Sequence, residues 1–256
     1  MKNPTGPESV PENTSPKESG NGASTGKRFL LLLAQRWPEY VVEIIVVIIG
    51  ITISFAISNY QQDSADKRLA QIYLQDLRED IKSDIFTLAE TIQQTDSVIL
   101  SGQALITQSD SNTSLTKQRL VALVHLLIRR PNFISKNATF SSLKTSANFR
   151  LIKDIELRKL LFEYDQDYQT IKAMEAAELQ ATVTIAGPYI IKSIPLADSP
   201  QTSSWLEKLD VKAILGSVEF MNNVALRMDN RQELLDSYKD IRYTAMQIDS
   251  AILRNL

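Results

Sequence analysis

The sequence predicts an all-α protein: an N-terminal transmembrane helix continuing into an antiparallel helical bundle or stalk. Three observations carry that expectation. Residues 40–60 form an apolar run with one charge, Glu43. Beyond it, apolar residues recur at every third or fourth position, the α-helical spacing. Only eight Gly and nine Pro occur in 256 residues, too few for a turn-rich all-β protein.

Composition removes several function classes. Lys and Arg total 28 against 30 Asp and Glu, so no strong basic field exists for nucleic acid. The absence of cysteine excludes disulfides, thiolate catalysis and Cys-ligated zinc. The single histidine, His125, excludes multi-histidine metal centres.

Taken in order, residues 1–26 hold half of all glycines and four of the nine prolines among Ser, Thr, Asn and Lys. Such a segment buries too little apolar surface to offset its ordering entropy and reads as a disordered tail. It has no apolar core behind its basic start, so it is not a cleavable leader. Residues 27–39 follow as an interfacial juxtamembrane segment: Lys27-Arg28, a short apolar run, then Arg36, Trp37 and Pro38. Pro38 suits the first turn of a helix, where its missing N–H is unpaired anyway.

Residues 40–60 then cover roughly 30 Å at about 1.5 Å per residue, the thickness of a bilayer's hydrocarbon. Arg36, Trp37, Tyr40 and Tyr60 are the expected interface anchors. No second run of this kind occurs, so the expected protein is single-pass. Glu43, Val47, Gly50 and Ser54 project within roughly 60° of one another, with Ser58 beside them. Gly50, Ser54 and Ser58 make a small-xxx-small row that lets helix backbones approach closely in lipid. A carboxylate on that same side points to a protein neighbour, so the row with Glu43 and Val47 is the expected interaction face. Lys27, Arg28 and Arg36 on the N-terminal flank outnumber Lys67 and Arg68 on the other. This bias predicts a cytoplasmic N-terminus and a periplasmic C-terminal domain, anchored in a cell inner membrane.

The soluble region, residues 61–256, reads as helix almost throughout. Ala70, Leu74, Leu77, Ile81, Ile85, Leu88, Ile92, Thr95, Ile99, Gly102 and Ile106 advance 3.6 residues per step, with a possible break near Gly102. Residues 109–114 read as a turn. A helix over Leu115–Arg130 ends before Pro131, and a shorter one fits Ala138–Ser146. Asp154 caps a long helix running to about Ala186 and stopped by Gly187-Pro188. Residues 195–204 read as a loop. A final helix begins near Ser217, and Met221, Val224, Met228, Arg231, Leu234, Tyr238, Ile241, Ala245, Ile248 and Ile252 repeat near 3.4 residues, closer to a coiled-coil seam.

No enzymatic constellation emerges: there is no P-loop, dinucleotide fingerprint or nucleophile elbow. His125 sits in an apolar helix without triad partners and reads as a core or rim histidine. Asp76, Asp80 and Asp84 stand four residues apart, interleaved with Arg78 and Lys82, and read as a solvated charged face. Thr145–Asp154 reads as a structural corner: a helix stop, an apolar plug containing Phe149, and a fresh N-cap at Asp154. No cofactor, metal or catalytic residue is expected.

Two blocks, Glu43–Ile81 and Leu143–Tyr164, together resemble an uncharacterised family of bacterial single-pass envelope proteins. In that family a Glu-containing span ends in an Asn-aromatic pair, here Asn59-Tyr60, and a later K-x-S-G-N-hydrophobic element precedes another helix. Here the element reads Lys144-Thr-Ser-Ala-Asn-Phe149, with Ala147 at the family's glycine, which leaves Asn148 to adopt any left-handed helix end. The resemblance implies a membrane-anchored helical protein and no assigned activity.

The expected function is therefore non-enzymatic. It is an envelope scaffold or protein-interaction module in the lipid bilayer, a homo-oligomer or the companion of a partner membrane protein. The alternative is a signal-sensing or ligand-binding subunit that relays through the membrane helix to a partner.

Overall fold

The structure is a computed structural model. It describes residues 22–110, 115–146, 148–195 and 203–256, with side chains from Trp37 onward. Every element among these residues is a helix. The chain divides into two compact units, one ending at Asp63 and one running from Ser64 to Leu256.

The first unit contains the N-terminal part of helix α1 (Gly22–Asp110). The helix begins well before Pro38, which lies inside it rather than at its start. Proline removes one ladder bond, to the carbonyl four residues back, and the leucine-rich turns around it keep theirs. Residues 22–26, expected in the tail, belong to this helix, as does the whole juxtamembrane segment. The rest of the expected tail lies outside the described residues. The apolar stretch from Trp37 is the one segment among the described residues long and apolar enough to cross a membrane, and its window contains no buried residue.

In the second unit, α1 is followed by α2 (Lys117–Leu127), α3 (Ala138–Thr145), a 3-10 turn (Asn148–Leu151) and α4 (Ile155–Ala181). A π-turn (Thr182–Ala186), α5 (Gly187–Ser193), α6 (Ser203–Lys208), α7 (Val211–Leu215) and α8 (Val218–Asn255) complete it. Thr116, Asp154, Asp210 and Ser217 cap α2, α4, α7 and α8 through side-chain oxygens that accept backbone N–H bonds.

α1 stays helical through Gly102, so no break occurs there. The glycine is packed instead: a Cβ on it would lie 2.5 Å from Met228 Cγ and 3.3 Å from Leu127 Cδ1. Its buried seam also differs from the expected one. It runs Leu74, Leu77, Ile81, Asp84, Leu88, Thr91, Thr95, Val98, Gly102, Leu105, in alternating steps of three and four. That is the seven-residue repeat of coiled-coil packing, and it leaves Ile85, Ile92 and Ile106 only half-buried at its edge.

Gly187-Pro188 does not stop the helical path after α4. The Gly187 N–H bonds to Thr182 O, five residues back, and Pro188 enters the first turn of α5. The wider π-turn accommodates a ring that would clash with the carbonyl four residues back in α geometry. The helices α6 and α7 were not expected. Of the two expected linkers, 109–114 and 195–204, residues 111–114 and 196–202 lie outside the described residues, residues 109–110 are the end of α1, and residues 203–204 begin α6.

Two clusters of buried side chains hold the second unit. One joins Leu74–Leu88 of α1 to Phe133, Phe140 and Leu143, to Leu157–Ile171 of α4 and to Leu234–Ile252 of α8. The other joins Val98 and Leu105 of α1 to α2, Ile190, Ile194, Leu209 and the start of α8.

Candidate functional site

Glu43, Val47, Gly50, Ser54 and Ser58 all lie exposed on α1. Nothing stands within 4 Å of a Cβ built on Gly50, and Val47, Gly50, Ile51, Ser54, Phe55 and Ser58 line one shallow groove. The Ser54 hydroxyl donates back to Gly50 O at 2.8 Å, which hides its polarity on an apolar helix. The groove takes in Val47, Gly50, Ser54 and Ser58 of the expected face but not Glu43, and adds Ile51 and Phe55 as rims that spacing alone did not include. Trp37 and Tyr60 are strongly exposed and Tyr40 less so; the Arg36 side chain lies outside the described ones.

The second unit contains two buried polar centres. In the first, Asp84 is 1% exposed and accepts bonds from Ser135 Oγ, from Lys136 N at 2.8 Å and from Tyr164 Oη at 2.7 Å. Burial beside this carboxylate pushes the Tyr164 phenol well above its ordinary range. Asp80, half-buried, accepts from Thr139 N and Oγ1. Only Asp76 matches the expected solvated face. Residues four apart advance about 40° around a helix, so three of them sweep about 80° from solvent into core.

In the second centre, Glu178 of α4 is shared by two guanidinium groups of α8. Arg227 donates Nη1 to Glu178 Oε1, and Arg231 Nη2 donates to Oε2 at 2.7 Å. Arg130 stands 3.6 Å from the same oxygen. All three partners of the inner pairs are at most 5% exposed. Burial lowers Arg227 to about 9 and Arg231 to about 10, with neighbouring arginines adding to the effect, and both stay charged at neutral pH. One carboxylate cannot balance two cations. The nearby Glu175 carboxylate and carbonyl dipoles supply the rest: Leu127 O and Arg129 O accept from Arg227, and Pro131 O accepts from Arg231. Glu175 completes the centre, accepting from Phe133 N and from Tyr238 Oη. The arginines therefore clamp the chain leaving α2 against α4 and α8. Arg231 was legible as a charge inside the α8 seam; Glu178 and Arg227 carried no signal of their own.

The corner at Asn148 is a tie between elements. Asn148 opens the 3-10 turn and donates Nδ2 to Tyr73 Oη at 3.0 Å, and residue 147 lies outside the described ones. The Phe149 ring packs at 4.9 Å from Phe162 and edge-on to Phe140. Asp154 caps α4 and also accepts from Asn255 Nδ2 at 2.8 Å. That bond, with the capping amides, holds the Asp154 carboxyl below its ordinary range. His125 lies on the exposed side of α2, as a rim residue.

An acidic cleft between α4 and α8 is lined by Glu163, Asp167, Asp240, Ser237 and Tyr243. Burial first, then the Glu163 and Asp240 charges, raises the Asp167 carboxyl. Among the described residues, no group of three or more His, Asp or Glu side chains is arranged to hold a metal ion. Comparison with known protein families, with characterised proteins and with solved structures finds no match to this chain.

Proposed function

We propose that this chain is a single-pass inner-membrane scaffold or protein-interaction module whose helical domain, an antiparallel bundle, is exported and acts through binding. The observation that carries the reading is the exposed apolar run of α1, with a notch of small residues along one side. Large exposed apolar surface needs lipid or protein to cover it, and the notch admits a second helix backbone. The resemblance to single-pass envelope proteins supports the same reading.

The protein has no native cysteine, so single-cysteine crosslinking in membranes is a clean test. Cysteines at Val47, Gly50 or Ser54 should give dimers or capture a partner helix, and those at Ile45, Ile48 or Ile49 should not. Gly50→Ile should abolish the crosslinks at the other two positions. Equal crosslinking around the helix, or none, removes the interaction face.

A further inference from the structure

Apart from its internal clamps, the second unit has one end whose surface is both cationic and apolar. Arg150 on the 3-10 turn reaches Asp66 at 3.7 Å, and Asn148 reaches Tyr73, so the corner lies against the first turns of α1 in this unit. Asn255 bonded to Asp154 brings the end of α8 to the same place. Three segments far apart in sequence thus bring Lys67, Arg150, Lys153 and Arg254 to this end, all exposed, with Arg68 exposed on the other side of α1 at the same level. Their acidic neighbours are Asp63, exposed one turn before Lys67; Asp66, held by Arg150; Asp154, engaged as a cap; and Glu156, paired with Lys159. Exposed Leu69, Ile155 and Leu253 stand among them.

We infer that this end of the unit is a docking surface for the headgroups of anionic phospholipids. The inference rests on the proposed span. Lys67 follows Tyr60 by seven residues, and seven residues reach about 25 Å at most even when fully extended. Any surface tied to Asp66–Tyr73 is therefore kept close to the bilayer, whatever path the chain takes. Lysine and arginine with interleaved aliphatic side chains suit that layer: the charge meets phosphate and the apolar groups enter the headgroup boundary. A neutral headgroup would satisfy the apolar part alone, which makes lipid charge the discriminating variable.

The test uses the full chain in vesicles with an environment-sensitive fluorophore on single cysteines. Ile48→Cys reports on the span, Glu156→Cys on the proposed surface, and Lys192→Cys on α5, packed at the Val98–Leu105 end. Spin-labelled headgroups should quench the Glu156→Cys probe in vesicles containing phosphatidylglycerol. Quenching should fall by about half or more in pure phosphatidylcholine, and equally when Lys67, Arg68 and Lys153 are changed to Gln. Lys192→Cys should stay unquenched. If acyl-chain spin labels fail to quench Ile48→Cys, the span itself is wrong. If Ile48→Cys is quenched but Glu156→Cys is not, or responds equally in both lipids, the docking surface alone is overturned.

Discussion

Glu178 is placed where loss of one side chain strands two charges. Removing one partner of a buried ion pair leaves the other desolvated, so Glu178→Ala should lower stability by ~3–5 kcal/mol. The denaturant midpoint in detergent micelles, followed by circular dichroism, reads this directly. Replacing Glu178, Arg227 and Arg231 together by Leu and Met should recover only part of the loss: apolar groups avoid the desolvation, but the Leu127, Arg129 and Pro131 carbonyls lose their donors. Asp167 has the opposite character. Its raised carboxyl binds a proton more tightly in the folded chain than in the unfolded one, so its contribution to stability falls as pH rises through the folded value. Asp167→Asn should therefore stabilise above that pH by ~0.5 kcal/mol or less, with no gain below it, as paired melts at acidic and neutral pH would show. At this scale little was legible beforehand. A sequence shows Asp84 among other aspartates and Glu178 among other glutamates; which one is buried depends on what faces it, and Ser135 and Arg231 come from remote segments.

Helices were legible as helices because propensity and periodicity are local. What the periodicity did not settle is which of two adjacent rows faces inward. In α1, Leu74, Leu77, Ile81, Leu88, Thr95 and Gly102 belong to both candidate rows, and the rows separate where Ile85, Ile92, Ile99 and Ile106 compete with Asp84, Thr91, Val98 and Leu105. The polar pair faces inward because Ser135, Lys136 and Tyr164 satisfy Asp84 there, and because threonine hydroxyls bond to their own helix. Gly102 gives the element-level test. Gly102→Ala places a methyl group 2.5 Å from Met228 Cγ and 3.3 Å from Leu127 Cδ1, so Met228 must change rotamer and Leu127 give slightly; alanine's helix preference offsets part of this, and a net cost of ~1 kcal/mol is expected. Gly102→Leu must displace Leu127 as well and should cost ~1–3 kcal/mol in thermal unfolding. Proline at Ile81 or Leu88 should cost ~3 kcal/mol or more and sharply increase protease sensitivity, since each also sits in the core.

For the whole molecule, the testable quantity is topology. An alkaline-phosphatase-type reporter fused after Leu256 should be active, and a cytoplasmic one silent, if the Lys/Arg bias orients the chain. The reverse pattern would place every residue of the helical domain on the other side. The apolar run was plain in the sequence because a span is written in consecutive residues. The clamp was not, because Arg227 and Arg231 meet carbonyls about a hundred residues earlier.

That distance also imposes an order of events. Leu74–Leu88 emerge from the ribosome long before Leu234–Ile252, the side chains that cover them. Until α8 has been made, the first four-fifths of the domain carry an apolar stripe lined only in part, by α4 and the segment before it, and no amount of waiting can close it. Folding is thus tied to completion of the polypeptide. A nascent chain stalled before residue 234 is left as a substrate for chaperones and proteases, and only a finished one can protect itself.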